Sequence, residues 1–377
     1  MKKLAIIGAS YLQKPLAVKA KELGIYTVCF AWADGAVCAE ICDKFYDVSI
    51  TEKERILSIC QAEKIDGIVT IASDVAAPTV AFVAENMGLP GNNYQAAVLA
   101  NNKYLMRNAL VEAGIPCPKY IMINSNELEV GDKLSLISSL SYPLIIKPSD
   151  RSGSLGVTKV ESSSELLLAI KKAIDMSFKK EAMIEEYIEG REISVEFISY
   201  NNKHYPLQIT DKQTTGAPHF VELAHHQPSD LQPEQWKEVY ELTEKALTGL
   251  GLSNGASHSE YKISDDGRIF VIEIGGRMGG DFIGSDLVSL STGYDFVKGV
   301  IDVALGKFKE PVFTQHKYAG VYFLSKETAN LLPTFRNWEH NPIFVAGEIS
   351  DQELHELEKS SDRSGYVIYQ SNYKLNL

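Results

Sequence analysis

The chain has few cysteines, and none of them stands at a spacing that cysteine chemistry requires. No two form a Cys-x-x-Cys pair, and none has histidine partners at zinc-finger spacing. Reduced and mostly buried thiols are typical of cytoplasmic proteins, so we expect a cytoplasmic protein without a disulfide framework. The cysteines are Cys29, Cys38, Cys42, Cys60 and Cys117.

Long apolar runs and clustered positive charge are also missing. No apolar stretch approaches the ~20 residues that a membrane span needs, so no membrane partner is expected. The formal net charge is -12, and no run of lysine and arginine could form the basic face of a nucleic-acid-binding protein. The apolar run in the opening MKKLAIIGAS ends at a glycine turn, which is typical of a buried first strand rather than of a signal peptide.

Residues 1–95 alternate strand and helix patterns. Such alternation predicts a parallel sheet with both faces covered by helices. Ligands bind such sheets at the carboxyl ends of the strands, so the Gly8-Ala9-Ser10 turn and the Ser73-Asp74 pair are expected to border a binding site. The G-x-G-x-x-G motif of dinucleotide-dependent oxidoreductases is absent after Gly8, which argues against that class of enzyme.

The remainder of the chain predicts a different architecture. Strand patterns at Leu144–Lys147 and Ile193–Ser199 are followed by a long helix at Pro233–Leu250 and by a hairpin, Ser257–Ile263 with Ile269–Ile274. The 377 residues are too many for one ordinary core. The sequence therefore predicts an α/β domain with a parallel sheet, then an α+β domain, and a small α+β segment at the end.

A loop rich in glycine and serine follows a lysine at the end of a predicted strand, in the sequence IIKPSDRSGSLGV. Small residues let backbone N–H groups close around phosphate oxygens, and Lys147 supplies a positive charge beside them. The GxxxxGK[ST] spacing is absent, which excludes a Walker loop. An exposed hairpin is the alternative interpretation.

The segment MIEEYIEGREISVEF, residues 183–197, combines the groups that a nucleotide needs. Its apolar residues can form a slot for the base, and its carboxylates can accept hydrogen bonds from amino and ribose hydroxyl groups. A solvated acidic hairpin is the alternative interpretation.

Two acidic strands, SHSEYK and VIEIGGRMGGD, place Glu260 and Glu273 on the two arms of one predicted hairpin. Facing carboxylates next to phosphates suit Mg²⁺, which takes oxygen ligands. Arg277 follows four residues after Glu273 in a glycine-rich turn, where its planar fork can hold a carboxylate or a developing oxyanion. The alternative interpretation, an exposed hairpin, accounts for the two glutamates. It accounts less well for an apolar strand that contains Glu273 and is followed directly by GGRMGGD.

In this order the three segments resemble the ATP-grasp superfamily of ligases, over about residues 1–310. In motif they are closest to the L-amino-acid (dipeptide) ligase and carbamoyl-phosphate-synthase-like subgroup. The resemblance implies a pre-ATP-grasp Rossmann-like domain at residues 1–95 and a two-lobed ATP-grasp domain at 96–310, with a mobile lid lobe at about 118–187. Residues 311–377 form a C-terminal segment outside the resemblance, and a role as a cap or a dimer contact is left open.

The resemblance also implies a binding site for ATP. Lys103 and Lys147 match lysines that contact the nucleotide phosphates in the family, and Lys147 is in addition assigned to catalysis. Glu185 matches an acceptor for the adenine amino group, and Glu192 matches a ribose ligand. The full set of implied nucleotide-binding residues is Lys103, Lys147, Ser152, Gly153, Ser154, Glu185, Tyr187, Ile188 and Glu192.

By the same match, Glu260 and Glu273 bind Mg²⁺, with Mn²⁺ as an alternative ion. Many family members have Glu-x-Asn at the second metal motif, whereas this chain has Glu273-Ile274-Gly275. This departure leaves the number of metal ions open.

On the substrate side the resemblance implies Arg277, which is also assigned to catalysis. Asp74, which follows a predicted strand of the parallel sheet, is assigned to the same side. The resemblance further implies the histidine before Pro-Ser in HFVELAHHQPSDL, which is His225 or, with a weaker match, His226. Residues 211–230, interpreted as a loop, are expected to help set specificity.

The implied function is that of an ATP-dependent ligase, which activates a carboxylate as an acyl phosphate for attack by an amine and releases ADP and phosphate. Its partners are small carboxylate and amine substrates, and a homodimer is left open. One alternative is a bicarbonate-dependent carboxylase or a carbamoyl-phosphate-type enzyme on the same fold. A second is a non-catalytic nucleotide-binding regulator, supported only by the missing asparagine.

Overall fold

The structure, a computed structural model, describes residues 1–130, 134–151, 153 and 155–377. Its strands are β1 (Lys3–Ile7), β2 (Tyr26–Ala31), β3 (Lys44–Asp47), β4 (Gly67–Val69), β5 (Tyr120–Asn124), β6 (Leu144–Pro148), β7 (Thr158–Val160), β8 (Glu181–Glu186), β9 (Arg191–Tyr200), β10 (Lys203–Thr214), β11 (Glu222–Gln227), β12 (Gly255–Ile263), β13 (Ile269–Gly275), β14 (Tyr318–Leu324), β15 (Phe344–Ile349) and β16 (Gly365–Ser371). Its helices are α1 (Lys14–Glu22), α2 (Lys53–Glu63), α3 (Ala77–Met87), α4 (Tyr94–Asn101), α5 (Lys103–Glu112), α6 (Ser125–Val130), α7 (Leu134–Ile137), α8 (Ser163–Met176), α9 (Pro233–Leu250), α10 (Val288–Thr292), α11 (Phe296–Ala304) and α12 (Leu332–Arg336). Over these described ranges, no helix combines the length and the apolar character that crossing a membrane requires.

The N-terminal part is a parallel sheet of four strands in the order β3-β2-β1-β4. Because successive side chains of a strand point to opposite faces, β1 is buried on both sides. Leu4 and Ile6 pack in one core with α1 and α11, whereas Ala5 and Ile7 pack in another with α2 and α3. The prediction of an α/β domain with a covered parallel sheet is confirmed.

A second sheet of eight strands runs in the order β13-β12-β9-β10-β11-β14-β16-β15, and its paired strands are antiparallel. The predicted hairpin forms β12 and β13, and it places Glu260 directly opposite Glu273. The long helix α9 has proline in its first turn, ends at Gly251 with φ of 72°, and packs its apolar face on this sheet.

The interpretation of residues 211–230 as a loop is wrong in part. Residues 211–214 complete β10, and β11 follows at Glu222–Gln227. Lys212 and His225 are direct partners in this pair of strands. Their polar side chains interrupt the alternation of apolar residues that identifies a strand in a sequence, so the pattern was not visible.

The C-terminal segment continues the eight-stranded sheet. Strand β14 pairs with β11, and β16 pairs with both β14 and β15. Residues 311–377 therefore share a sheet with the strands that carry Glu260 and Glu273.

The third sheet is small and antiparallel, in the order β5-β8-β6-β7, with α8 packed on one face. Its strands lie within residues 120–186, which is the region expected to form a lid lobe. The mobility of this lobe and the predicted domain boundaries stay predictions.

Candidate active site

A cavity of about 210 Å³ lies between the small sheet, the eight-stranded sheet and the end of β4. It brings together side chains that are far apart in the sequence. Most of the residues predicted to form a site line it: Asp74, Lys103, Lys147, Gly153, Glu185, Tyr187, Ile188, Glu192, Glu260, Glu273 and Arg277. Ser152 and Ser154 lie outside the described residues.

Buried opposite charges meet at the end of the cavity next to the small sheet. Lys147, at the end of β6, contacts Glu185 of β8, and the two side chains are 7% and 3% exposed. The fully buried Arg107 donates to the same carboxylate through Nε at 2.9 Å, and its other nitrogens donate to the carbonyls of Val271 and Ile272 at 2.7 and 2.9 Å. Burial raises the pKa of Glu185, but Arg107 and Lys147 outweigh it and hold that pKa below its usual value.

Sequence reasoning missed Arg107, although a signal was present. Lys103 and Arg107 are four residues apart in α5, and residues at that spacing lie on the same face of a helix. Since Lys103 was already assigned to the site, its helical neighbour was a candidate. In the structure Arg107 and Lys147 engage both oxygens of Glu185, and the predicted contact of Glu185 with adenine stays a prediction.

The segment between β8 and β9 forms a tight turn against the eight-stranded sheet. Glu192 lies 3.1 Å from Nζ of Lys212 and 3.3 Å from Nζ of Lys262. Gly190 has a φ of 137°, and a Cβ at this position would come within 2.1 Å of the Ile263 carbonyl oxygen. Glycine is therefore required for the turn to approach β12 so closely.

We expect Gly190→Ala to lower the free energy of unfolding by about 2 kcal/mol or more, because both φ and the contact with Ile263 become unfavourable. Chemical denaturation measures this change. Gly267→Ala is the matched control, since Gly267 also has a positive φ but nothing lies within 4 Å of its Cβ position. Equal losses in the two variants would contradict a requirement for close approach.

The facing carboxylates of the β12–β13 hairpin are each paired with a lysine. Nζ of Lys103 is 2.6 Å from Glu273 Oε1, and Nζ of Lys212 is 2.7 Å from Glu260 Oε1. Lys212 is only 4% exposed and also approaches Glu222 at 3.6 Å. Burial lowers the pKa of Lys212, but the surrounding carboxylates outweigh it and raise that pKa well above its ordinary value. Lys212 was missed because its strand was interpreted as a loop.

A buried histidine connects Glu260 to the glycine-rich turn. His258 contacts Glu196 through Nδ1, and its Nε2 lies 3.4 Å from Glu260 Oε1. Burial lowers the pKa of His258, but Glu196 and Glu260 outweigh it and raise that pKa to about 9. Glu196 accepts a hydrogen bond from the Gly279 amide at 3.0 Å. The turn that follows Arg277 is therefore fixed to the strand that carries Glu260.

Arg277 and Asp74, both predicted on the substrate side, are paired with each other. Nε and Nη2 of Arg277 donate to the two oxygens of Asp74, each at 2.7 Å. This bidentate contact joins the end of β4 to the glycine-rich turn across 203 positions of sequence. Burial lowers the pKa of Arg277, but Asp74 outweighs it and raises that pKa.

The family comparison agrees with this arrangement, since residues 140–286 match the family model of the ATP-grasp domain. Residues 140–286 are therefore similar to an ATP-grasp domain. Over a longer segment, the chain is similar to the alanine–anticapsin ligase of Bacillus subtilis (strain 168), at 29% identity over 249 residues. That match covers 60% of this chain and 51% of the relative, so the chain spans about half the length of that protein.

Solved structures resemble nearly the whole chain. The L-amino acid ligase from Bacillus licheniformis matches with a TM-score of 0.82 at 22% identity, covering 99% of this chain and 94% of that chain. The N5-carboxyaminoimidazole synthetase from Staphylococcus aureus, complexed with ADP, matches with a TM-score of 0.80 at 19% identity and the same coverage. At these identities the likeness shows the fold, and it confirms the predicted fold class.

Neither predicted histidine is among the described residues that line the cavity. His225 is 1% exposed, and its Nε2 lies 3.8 Å from Asp281. Burial lowers the pKa of His225. His226 lies 3.0 Å from the Tyr369 hydroxyl, and burial lowers its pKa to about 4. In the same strand it is Glu222 that lines the cavity, and the role of His225 in substrate binding stays a prediction.

Within the described ranges, there is no group of three or more histidine, cysteine, aspartate or glutamate side chains arranged to hold a metal ion. Two carboxylates, Glu260 and Glu273, do face each other, and Mg²⁺ at nucleotides is usually held by one or two carboxylates together with phosphate oxygens. In both Glu260 and Glu273, the oxygen that forms the ion pairs is Oε1. Two glutamate carboxylates that face each other fit a Mg²⁺ ion whose other ligands are phosphate oxygens.

Proposed function

We propose that this protein is an ATP-dependent ligase that joins a carboxylate to an amine and releases ADP and phosphate. The observation that supports it best is the cavity itself, in which the facing Glu260 and Glu273 share one space with Lys103, Lys147 and Arg277. The relatives named above include an alanine–anticapsin ligase and an L-amino acid ligase, which favours amino acids as substrates. We therefore place L-amino acids first among the candidate carboxylates and amines.

The first step is phosphoryl transfer. An oxygen of the substrate carboxylate attacks the γ-phosphorus of ATP, the bond to the β-phosphate oxygen breaks, and ADP leaves behind an acyl phosphate. Catalysis of such a step consists mostly of positioning and charge neutralisation. Lys103 and Lys147 supply positive charge on the nucleotide side, and Mg²⁺ held by Glu260 and Glu273 would neutralise phosphate charge when bound.

The second step is attack of the amine nitrogen on the acyl carbon. Phosphate leaves, and the nitrogen loses a proton to solvent or to a basic group. Negative charge develops on the acyl oxygen in the tetrahedral transition state, and we assign its stabilisation to Arg277, which lines the cavity. Its bidentate contact with Asp74 fixes the guanidinium before substrates bind, so little reorganisation is needed.

The proposal is tested by measuring ADP release from ATP with the twenty L-amino acids, singly and in pairs, in parallel with bicarbonate. We expect amino acids to stimulate release and a peptide-bonded product to appear by mass spectrometry. Stimulation by bicarbonate alone would instead indicate a carboxylase or a carbamoyl-phosphate-type enzyme. Nucleotide binding with no stimulation by either class would indicate a regulator.

Glu273→Gln tests the metal assignment. The side chains are nearly isosteric, so we expect the melting temperature to change little while Mg²⁺-dependent binding of ADP weakens and turnover is lost. Isothermal titration with ADP in the presence and absence of Mg²⁺ measures the first effect without requiring turnover. Glu241→Gln, on the exposed face of α9, is the control. Unchanged Mg²⁺ dependence in Glu273→Gln would remove the assignment.

A further inference from the structure

An arginine of the C-terminal segment reaches two acidic residues beside the cavity. Nη1 of Arg363 is 2.9 Å from Asp281, and Nη2 is 2.9 Å from the Glu222 carboxylate. Nε donates to the Glu222 backbone carbonyl at 3.2 Å. The side chain is only 8% exposed, and its guanidinium lies 3.7 Å from the centre of the Phe323 ring. One planar group thus joins β11 to the turn that follows Arg277.

Both acidic partners stand next to groups that the proposed reaction uses. Glu222 lines the cavity and lies 3.6 Å from Nζ of Lys212, which in turn contacts Glu260. Asp281 follows four residues after Arg277 at the end of the glycine-rich turn. On one side, only Glu222 lies between Arg363 and Lys212. On the other side, Arg363 contacts Asp281, at the end of the turn that follows Arg277.

The end of that turn has an unfavourable backbone conformation. Asp281 has a φ of 51° and Phe282 a φ of 65°, a region that is uncommon for non-glycine residues and least favourable for a bulky one such as phenylalanine. Two of the groups that hold them come from the C-terminal segment. Arg363 binds the Asp281 side chain, and the Tyr366 ring lies 4.3 Å from the Phe282 ring.

His225 is the other group beside Asp281, and it does not hold that carboxylate by a hydrogen bond. Its Nε2 is 3.8 Å from Asp281, and neither ring nitrogen has a hydrogen-bond partner in the part of the chain that the structure describes. Arg363 thus makes the closer contact with Asp281.

We propose that Arg363 is a positioning residue, through which the C-terminal segment sets the conformation of the glycine-rich turn and the orientation of Glu222. By these contacts it places Arg277 and Lys212 in the cavity. The contacts need three donors in a fixed fork, which a lysine ammonium cannot reproduce. The effect on turnover rests on the proposed function, whereas the effect on the turn does not.

Two substitutions of Arg363 distinguish the contribution of its planar fork from those of its charge and its apolar stem. Arg363→Met keeps most of the apolar stem without the charge, and Arg363→Lys keeps the charge without the fork. Lys326→Met is the control, because Lys326 lies in the same segment in an exposed ion pair with Glu356. Hydrogen exchange of the full chain is followed by mass spectrometry, together with melting temperature.

In both Arg363 variants, we expect the amides of residues 220–227 and 279–287 to exchange at least about tenfold faster than in the unmodified protein. Exchange in the parallel sheet should be unchanged, and Lys326→Met should behave as the unmodified protein. In active protein both variants should lower kcat while the KM for ATP changes less than about threefold, since the groups around Glu185 are untouched.

Several results would overturn the proposal. Unchanged exchange in either Arg363 variant would show that the fork is not needed. Faster exchange throughout the chain with a lower melting temperature would show that Arg363 stabilises the fold as a whole. Unchanged kcat in both variants would break the link to the cavity. Because hydrogen exchange is measured without turnover, it tests whether Arg363 holds the turn even if the protein shows no ligase activity.

Discussion

Replacing Lys147 with alanine is expected to weaken ATP binding at least about tenfold and to abolish turnover. A hydrogen bond to a charged group contributes about 1.5–3 kcal/mol, and about 1.4 kcal/mol corresponds to a factor of ten in affinity. The fold should persist, because Glu185 keeps its hydrogen bonds from the buried Arg107. Isothermal titration with ATP measures the affinity, and circular dichroism checks the fold.

Lys119→Ala is the matched control for this substitution. Lys119 pairs with Glu186, the residue after Glu185, but its side chain is 70% exposed and the contact is long, at 3.5 Å. Exposed pairs of this kind contribute little to stability, so the control should bind ATP normally. An unchanged affinity in Lys147→Ala would remove the basis for placing the nucleotide phosphates beside Lys147.

Replacing Arg277 with lysine is expected to lower kcat about 100-fold or more, with a smaller effect on the KM for ATP. The loss of a single donor to a developing oxyanion has costs of this size, and lysine keeps the charge but loses the planar fork. An interaction that strengthens in the transition state affects kcat more than substrate binding. Steady-state kinetics and melting temperature should be measured on the same preparation.

Arg268→Lys is the control, since Arg268 lies in the exposed turn of the same hairpin and pairs there with Asp266. The alternative is that Arg277 serves only to bind Asp74 and so to hold β4 against the glycine-rich turn. That alternative predicts a lower melting temperature with a normal kcat in the folded protein. Asp74→Asn is a further comparison, because it weakens the same contact without removing the guanidinium. If Arg277 serves only to bind Asp74, this variant should lower the melting temperature as Arg277→Lys does and leave kcat normal.

The parts of the fold that could be predicted are those in which burial follows a simple period. Strand β1 reads as a continuous apolar run because both of its faces are covered. The end of helix α3 follows from its sequence, since its alanine-rich pattern stops at Gly88. The β12–β13 hairpin was predictable from its Asp265-Asp266-Gly267 turn and the strands on either side.

The parts that were missed are those in which the buried residues are charged. Lys212 is 4% exposed and Arg107 fully buried, yet such residues are normally found at the surface. Lys212 is accommodated by three carboxylates, and Arg107 by one carboxylate and two backbone carbonyls, all from other segments. These partners are 48 positions away for Lys212 and Glu260, and 78 for Arg107 and Glu185. A sequence pattern carries no direct record of such pairings, so the charge network required the three-dimensional structure.

Activation of a carboxylate as an acyl phosphate is tested most directly by following the carboxylate oxygen. The amino acid that best stimulates ADP release is prepared with ¹⁸O in its carboxylate and incubated with ATP, Mg²⁺ and the amine substrate. Because a carboxylate oxygen attacks the γ-phosphorus and stays with it when the amine displaces phosphate, one ¹⁸O atom should appear in each phosphate released. Release of phosphate without ¹⁸O, at a rate equal to product formation, would contradict the proposed mechanism.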